Sequence, residues 1–157
     1  MRAVVQRVKR ASVTVYSDDD GTRDAHVVAE IGPGLAVLVG VTHEDGKAQI
    51  DKVARKIAQL KLLRSLDNSD DPASRISAID AGAPVLLVSQ FTLYADVRKG
   101  TKPSWSKAAP GHVAEPIFDQ LVQAVRGYGL EVQTGSFGAM MDVELVNDGP
   151  FTILIEA

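Results

Sequence analysis

The chain contains no cysteine, which excludes disulfide bonds and any chemistry that depends on a thiolate. Aromatic residues make up only 5% of its 157 residues, and the three histidines are His26, His43 and His112. None of these histidines pairs with another at the spacing of metal ligands, and no Walker loop or GxSxG motif is present. We therefore expect the protein to use no metal and no cofactor.

Long apolar runs are also absent. No stretch approaches the roughly 20 residues that a membrane helix needs. Charges at Arg2, Arg7, Lys9 and Arg10 interrupt any signal-peptide core. We therefore expect a cytoplasmic protein without a membrane partner. The net charge of −3 argues against broad coating of DNA or RNA, but a local basic patch is enough to hold one end of an RNA.

The remaining pattern predicts one mixed α/β domain over residues 1–157 with a single core. Valine-rich or alternating stretches predict strands at Arg2–Lys9, Ala11–Ser17, His26–Ile31, Leu35–Val41, Val85–Val88, Leu130–Thr134, Met141–Val146 and Phe151–Glu156. Apolar residues three and four apart predict two main helices, Asp45–Arg64 and Val113–Val125. The polar segment Ser17–Asp24 and the aperiodic segment Val97–Pro110 are predicted to be loops.

The segment SQFT, Ser89 to Thr92, is the first candidate for chemistry, because it follows the apolar strand PVLLV directly. Ligand crevices in open α/β sheets form where strands end. Its hydroxyls, the Gln90 amide and the turning backbone would suit an oxyanion hole. Alternatively, Ser89 and Thr92 only cap the end of the strand, and spacing alone favours that interpretation. As a nucleophile, Thr92 has no base near it in sequence.

Two further segments suit contact with a nucleic acid. RKGTKPSWSK, Arg98 to Lys107, places basic residues around Trp105, which suits phosphate contact and base stacking. A solvated loop with an inward-packed tryptophan is at least as good an interpretation. QTGSFGAMM places Phe137 and Met141 beside glycines, where an aromatic ring would stack on a base, although a core aromatic is the commoner outcome.

The segment NDGPFT, Asn147 to Thr152, interrupts the apolar C-terminal pattern. Pro150 has no N–H to donate to a strand ladder, so it indicates an edge, a bulge or a turn. The sequence alone leaves the isomer of the Gly149–Pro150 bond open.

SQFTLYAD, TGSFGAMM and NDGPFT, in this order after AVVQRVKRASVTV, resemble the D-aminoacyl-tRNA deacylase family over nearly the whole chain. The paired SQxT and NxGPxT motifs make chance agreement very improbable. The resemblance implies a homodimer with a barrel-like sheet and active sites at the subunit interface. It implies hydrolysis of the ester that joins a D-amino acid to the 3′-terminal ribose of tRNA. Two departures are a longer Ser17–Asp24 loop and Trp105 in place of the usual phenylalanine.

The resemblance also implies roles for individual residues. Ser89, Gln90, Phe91 and Thr92 would line the scissile ester, and the N–H groups of Phe91 and Thr92 would hold the oxyanion. The terminal adenosine would bind at Phe137 and Met141. A cis Gly149–Pro150 pair would enter the partner subunit's site and reject L-amino acids by steric clash, with Arg7, Asn147 and Thr152 in support.

This mode of rejection would leave D-amino acids of many sizes, and glycine mischarged to alanine tRNA, as substrates. The ribose 2′-OH would help to activate water, in place of attack by Thr92. Two alternatives remain: a binder of aminoacyl-tRNA 3′ ends that does not hydrolyse them, and a small oligomeric α/β protein that acts through protein partners.

Overall fold

The first strand, β1, organises the sheet because it pairs with three others. The computed structural model describes residues 1–19 and 22–157, and it describes side chains outside 17–23. The strands are β1 Arg2–Asp19, β2 Thr22–Ile31, β3 Gly34–Gly40, β4 Val85–Ser89, β5 Val132–Thr134 and β6 Met141–Glu156. The helices are α1 Lys47–Gln59, α2 Ala78–Ala81 and α3 Gly111–Arg126, and a 3₁₀ helix spans Phe91–Tyr94.

The sheet has the strand order β2-β1-β3-β4-β5, and β6 pairs with β1. β1 runs antiparallel to β2, β3 and β6, whereas β3, β4 and β5 are parallel. The Glu30 N–H of β2 donates to the Gln133 side chain of β5 at 2.8 Å, which links the two ends of that order. The result is a nearly closed, barrel-like sheet in a mixed α/β fold.

One face of the sheet is covered by α1 and α3, each through an apolar stripe. Ile50, Val53 and Ile57 of α1 and Leu121 and Val125 of α3 are buried against the sheet. Complete burial of such side chains contributes roughly 1.5–3 kcal/mol each, so the helices are held by packing more than by helix propensity. β3 is buried on both faces, since the consecutive residues Leu35, Ala36 and Val37 are all buried.

Several predicted boundaries were wrong. The strands predicted at Arg2–Lys9 and Ala11–Ser17 form the single strand β1. The loop predicted at Ser17–Asp24 is wrong at both ends, because β1 runs to Asp19 and β2 starts at Thr22; residues 20–21 lie outside the described part of the chain. The helix predicted to end at Arg64 ends at Gln59, and the chain then turns extended at Leu60. The short helix α2 was not predicted.

The two C-terminal strands predicted at Met141–Val146 and Phe151–Glu156 form one strand, β6, with a bulge. Asn147 lies opposite Val8, and Thr152 lies opposite Gln6. The four residues of β6 from Asp148 to Phe151 therefore lie opposite the single residue Arg7. A bulge redirects the backbone locally without ending the strand, and it also accommodates a proline that has no N–H to donate.

None of the helices in the described residues is long and apolar enough to cross a membrane.

Candidate active site

The SQFT segment leaves the sheet where the buried strand β4 ends at Ser89. The Gln90 N–H donates to the Val39 carbonyl at 2.7 Å, and the chain then winds into the 3₁₀ helix. This turn packs closely on Gly40. A Cβ added at Gly40 would lie 3.1 Å from the Gln90 carbonyl oxygen and 3.0 Å from the Leu93 Cβ, so even an alanine there would crowd the turn.

The turn leaves two backbone donors at its start. The first hydrogen bond of the 3₁₀ helix runs from the Leu93 N–H to the Gln90 carbonyl, at 3.3 Å. The N–H groups of Phe91 and Thr92 precede that bond, so the helix itself provides them with no acceptor. The Thr92 hydroxyl accepts a hydrogen bond from the Gln90 side-chain amide. An amide N–H is not a base, so this contact does not activate the hydroxyl as a nucleophile.

A pocket of about 610 Å³ lies directly beside this turn. Ser89, Gln90 and Phe91 line it, and so do Phe137 and Met141 from the segment that precedes and begins β6. Five of the residues singled out in the sequence are therefore brought together around one cavity. Its size and its mainly apolar lining suit an aromatic ligand with a few polar groups.

The Phe137 ring has a defined position in the wall of this pocket. It packs against Phe118 of α3, with 6.3 Å between ring centroids and an angle of 49° between the ring planes. Phe137 is half-buried, so it is both a packing residue and a pocket residue. The interpretation as a core aromatic therefore describes one side of this ring, and stacking on a base stays a prediction.

Sequence reasoning missed part of the lining. The start of α3 contributes Pro110, Gly111 and Ala114, and Met140 contributes an exposed side chain. Pro110, Gly111 and Ala114 belong to no motif with catalytic residue types, and Met140 lies in QTGSFGAMM, from which only Phe137 and Met141 were named. Trp105 also lines the pocket, and the sequence did not decide between an inward and an outward tryptophan.

Thr92, Gly149 and Pro150 do not line this pocket. The Gly149–Pro150 peptide bond is cis and lies in the bulge of β6. Asp148, the neighbouring residue, lines a second pocket of about 560 Å³, together with Arg7 and others. Among the described residues, none lines both pockets. Within one chain, the SQFT pocket and the bulge are therefore separate features.

Arg7 holds the bulge of β6 in place through hydrogen bonds to its main chain. Its side chain is only 2% exposed. Its five hydrogen bonds, of 2.8–3.0 Å, go to the carbonyl oxygens of Leu62, Asp148 and Gly149 and to both carboxylate oxygens of Asp70. The planar guanidinium has five N–H donors in a fixed geometry, which suits several acceptors at once. The two main-chain carbonyls thereby become fixed in direction.

Two more arginines extend this arrangement. Arg64 donates to both carboxylate oxygens of Asp148, at 3.0 and 3.1 Å, and Arg75 donates to Asp70 at 3.0 Å. Hydrogen bonds from Arg7 hold the pKa of Asp70 well below its usual range, and the bond from Arg64 lowers the pKa of Asp148. Both carboxylates are therefore charged at neutral pH, and their charge helps to hold the arginines in place.

The other supporting residues differ in what they contact. With the Asn147 amide oriented to suit its neighbours, its nitrogen donates to the Arg7 carbonyl and its oxygen accepts from the Gly149 N–H, each at 3.3 Å. Thr152 is exposed and lies opposite Gln6 in the strand pairing. Phe151 lies between Asn147 and Thr152 in the chain, and its ring packs against two guanidinium groups. The Cζ atom of Arg7 is 4.8 Å from the ring centroid of Phe151, and the Cζ atom of Arg75 is 4.5 Å from it.

Comparison with known proteins finds a family and individual relatives that carry the same description, a deacylase of D-aminoacylated tRNA. The family described as D-Tyr-tRNA(Tyr) deacylase matches this chain over residues 4–156. A D-aminoacyl-tRNA deacylase of Kineococcus radiotolerans is 58% identical over 157 residues, with 100% of both chains covered. A protein of the same name from Thermobifida fusca is 53% identical, with 99% of both chains covered.

Two solved structures share the fold. The c-Myc DNA Unwinding Element Binding Protein is 37% identical to this chain, with a TM-score of 0.81 and coverage of 100% of this chain and 99% of its own. A probable eukaryotic D-amino acid tRNA deacylase has a TM-score of 0.78 at 16% identity, covering 98% and 97%. At that identity, the second likeness concerns the fold alone. The first name mentions DNA for that protein, and the absence of DNA binding by this chain stays a prediction.

Proposed function

This chain belongs to the D-Tyr-tRNA(Tyr) deacylase family, and we propose that it is an editing hydrolase that cleaves the ester of D-aminoacyl-tRNA to free tRNA and D-amino acid. The observation that carries the proposal is the convergence of Ser89, Gln90 and Phe91 with Phe137 and Met141 around one pocket, beside two backbone N–H groups that have no acceptor within the 3₁₀ helix. Aminoacylated tRNA is the substrate, and the cytoplasm is where such a substrate would be met.

The terminal adenosine binds in the SQFT pocket. Its base lies against the wall formed by Phe137 and Met141, since an aromatic ring and a thioether both make favourable contacts with a flat aromatic ligand. Its ribose, and the ester that it carries, then lie toward Ser89 and the 3₁₀ turn. This orientation is supported by the presence of both groups of residues in the lining of the same pocket.

The developing oxyanion is held by the N–H groups of Phe91 and Thr92. They are the two donors at the start of the 3₁₀ helix that have no acceptor within it. Fixed donors aimed at the position where negative charge develops are among the strongest contributions to catalysis, and loss of one costs about 10²–10³-fold in rate. The close contact of Gly40 with the turn keeps these donors in place.

The attacking group is water, helped by the ribose 2′-OH. Thr92 takes no part as a nucleophile, because its hydroxyl receives a hydrogen bond from an amide N–H and the described residues offer it no base. The protein then contributes position and electrostatic stabilisation, which together can account for a large rate enhancement.

The functional unit is a homodimer in which the Gly149–Pro150 segment of one subunit completes the site of the other. Neither residue lines the SQFT pocket of its own chain, so the segment is available to a second copy. Leu154, farther along β6, is a large apolar side chain that is exposed in the single chain, which suits burial against a partner. In the dimer, the SQFT segment of one subunit meets the Gly149–Pro150 segment of the other, so no contact within one chain is required.

The carbonyl groups of this segment reject L-amino acids. Arg7 holds the Asp148 and Gly149 carbonyls by hydrogen bonds of 2.9 Å, so the segment resists displacement. A carbonyl oxygen has two lone pairs, so a carbonyl that Arg7 holds can still face a substrate. An L-side chain would collide with this rigid backbone, whereas a D-side chain points away. Glycine has no side chain to reject, so glycine mischarged to alanine tRNA is also cleaved.

Release of amino acid from D-aminoacyl-tRNA by the purified chain tests the activity. We expect multiple turnover, with an enzyme concentration far below that of the ester. A substrate that ends in 2′-deoxyadenosine should react at least about 10²-fold more slowly, as expected for loss of a proton-transfer group. Tight binding of the ester without any release would contradict the proposal and favour a binder of aminoacyl-tRNA 3′ ends.

A further inference from the structure

An exposed pair of aromatic rings stands at the mouth of the SQFT pocket. Phe91 is 57% exposed and Trp105 is 41% exposed, although both are large and apolar. The rings meet edge to face, with 5.4 Å between centroids and 74° between planes. In such a pair, one ring contacts the other only through its edge, so both of its faces are free of that contact. Both residues line the pocket that contains Phe137, so anything that extends out of that pocket can pass them.

Backbone hydrogen bonds hold Trp105 in this position. Before it in the chain, Ser104 and Asp96 exchange two backbone bonds, of 3.0 and 2.8 Å. After it, the Ala108 N–H donates to the Trp105 carbonyl at 2.9 Å, and the Thr42 hydroxyl donates to the Lys107 carbonyl at 2.6 Å. The exposed ring therefore sits on a loop that is fixed at both ends.

The same loop is basic in a chain whose net charge is −3. Between Asp96 and Lys107 it has one acidic residue and four basic residues, Arg98, Lys99, Lys102 and Lys107. Arg98 forms an ion pair with Asp96, and Lys107 lies 4.0 Å from the same carboxylate. Lys99 and Lys102 are exposed and form no ion pair with any residue in the described part of the chain.

We propose that this loop, with Phe91 and Trp105, is a binding platform for the unpaired nucleotides that precede the terminal adenosine of tRNA. The inference rests on the proposed function, because the adenosine in the pocket fixes where those nucleotides begin. The aromatic rings stack on a base, and every nucleotide has a base with a flat face. Lys99 and Lys102 contact the phosphates. Stacking of this kind is independent of sequence, which suits a 3′ end shared by all tRNAs.

A comparison of two substrates tests the platform. The first is D-aminoacyl-tRNA, and the second is the D-aminoacyl ester of adenosine alone, which lacks the nucleotides that the platform would hold. For Trp105→Ala, we expect KM for the tRNA to rise about tenfold with kcat within twofold. Because Trp105 also lines the adenosine pocket, KM for the adenosine ester should rise too, but by no more than about threefold. Trp105→Phe keeps an aromatic ring and should restore most of the loss. Equal loss on both substrates, or no loss on either, would overturn the inference.

The salt dependence of KM for the tRNA tests the lysines. The variant K99A/K102A removes two phosphate contacts, so the slope of log affinity against log salt should become shallower by about 1.4, at roughly 0.7 for each contact to a single strand. The matched control is K52A/K56A, which removes two exposed lysines from α1 and should leave the slope unchanged. An unchanged slope in K99A/K102A would contradict the proposed phosphate contacts.

A binding experiment separates this inference from the proposed function. The probe is an unacylated single-stranded RNA that ends in CCA, measured by fluorescence anisotropy. If wild type binds it and Trp105→Ala binds it about tenfold more weakly, the platform stands even if no ester is cleaved. If the two proteins bind it equally, the platform is refuted even if the chain is an active deacylase, and the exposed rings are left for a protein partner.

Discussion

Replacement of Arg7 by lysine is the sharpest test of how the bulge of β6 is held. The change keeps a positive charge in the same place, but it replaces five N–H donors on a planar group by three on a single nitrogen. Arg7 uses five hydrogen bonds, so at least two must be lost. Each bond to a charged group contributes roughly 1.5–3 kcal/mol net, so Arg7→Lys should lower the free energy of unfolding by at least about 3 kcal/mol.

Arg10→Lys on the same strand is the matched control. Arg10 is more than half exposed, and its ion pair to Glu144, at 2.8 Å, is also exposed. Pairs of this kind contribute about 0–1 kcal/mol, so this variant should stay within about 0.5 kcal/mol of wild type. The assay is urea unfolding followed by far-UV circular dichroism at one protein concentration, because dimerisation makes apparent stability depend on concentration.

The same variant should also lose selectivity. If Arg7 fixes the carbonyls that exclude L-side chains, Arg7→Lys should cleave L-aminoacyl-tRNA faster than wild type does, while keeping most of its activity on the D-ester. An Arg7→Lys protein as stable as Arg10→Lys would refute the reasoning from the hydrogen bonds. A destabilised protein with unchanged selectivity would refute the link between Arg7 and chiral rejection.

Three other predictions follow from single contacts. Thr92→Ala should keep substantial activity on D-aminoacyl-tRNA in steady-state assays, and a loss of about 10⁴-fold or more with intact binding would make Thr92 the nucleophile. The pKa of Asp148 is lower in the folded state than its ordinary value of 3.8, so its charge stabilises the fold above that pH, and this stability is lost as the pH falls through the lower, folded-state pKa. Urea midpoints should therefore drop less steeply between pH 6 and pH 3 in Asp148→Asn than in wild type. Gly34→Ala would bring a Cβ within 2.2 Å of the Pro84 carbonyl oxygen and should cost about 1–3 kcal/mol in thermal or urea unfolding, whereas Gly32→Ala, with no atom within 4 Å, should be nearly neutral.

The strand pattern and the two long helices could be predicted because their apolar periods are local. The errors arose where apolar residues continued beyond an element. Leu60, Leu62 and Leu63 prolong the apolar pattern of α1, but they belong to an extended segment in which Leu63 exchanges backbone bonds with Ile76. The error in β1 has the opposite cause, because the exposed charge of Arg10 interrupts the valine-rich pattern although the strand continues through it.

The helix α2 has only four residues, too few for a period to be recognised. A local signal did exist. Ser77 and Asp80 form a capping box, in which the Asp80 N–H donates to the Ser77 hydroxyl at 3.1 Å and the Ser77 N–H donates to the Asp80 carboxylate at 3.2 Å. This spacing is typical of a helix start and would have predicted the element.

The components of the candidate site could be named from the sequence, but their arrangement could not. Ser89 and Phe137 lie far apart in the chain, and only the pairing of β4 and β6 with the rest of the sheet brings their segments to one pocket. The ion pairs behind the bulge join Arg64 to Asp148 across 84 residues. Contacts at such separations depend on the complete fold, and no local pattern indicates them.

The central claim is that this chain distinguishes amino acids by excluding L-side chains. The most direct measurement is the initial rate of ester hydrolysis by the purified wild-type chain on three substrates: D-aminoacyl-tRNA, the L-ester of the same amino acid, and glycyl-tRNA. The account predicts cleavage of the D-ester and the glycyl ester, with the L-ester spared. Cleavage of the L-ester at a rate close to that of the D-ester, or survival of all three, would contradict it.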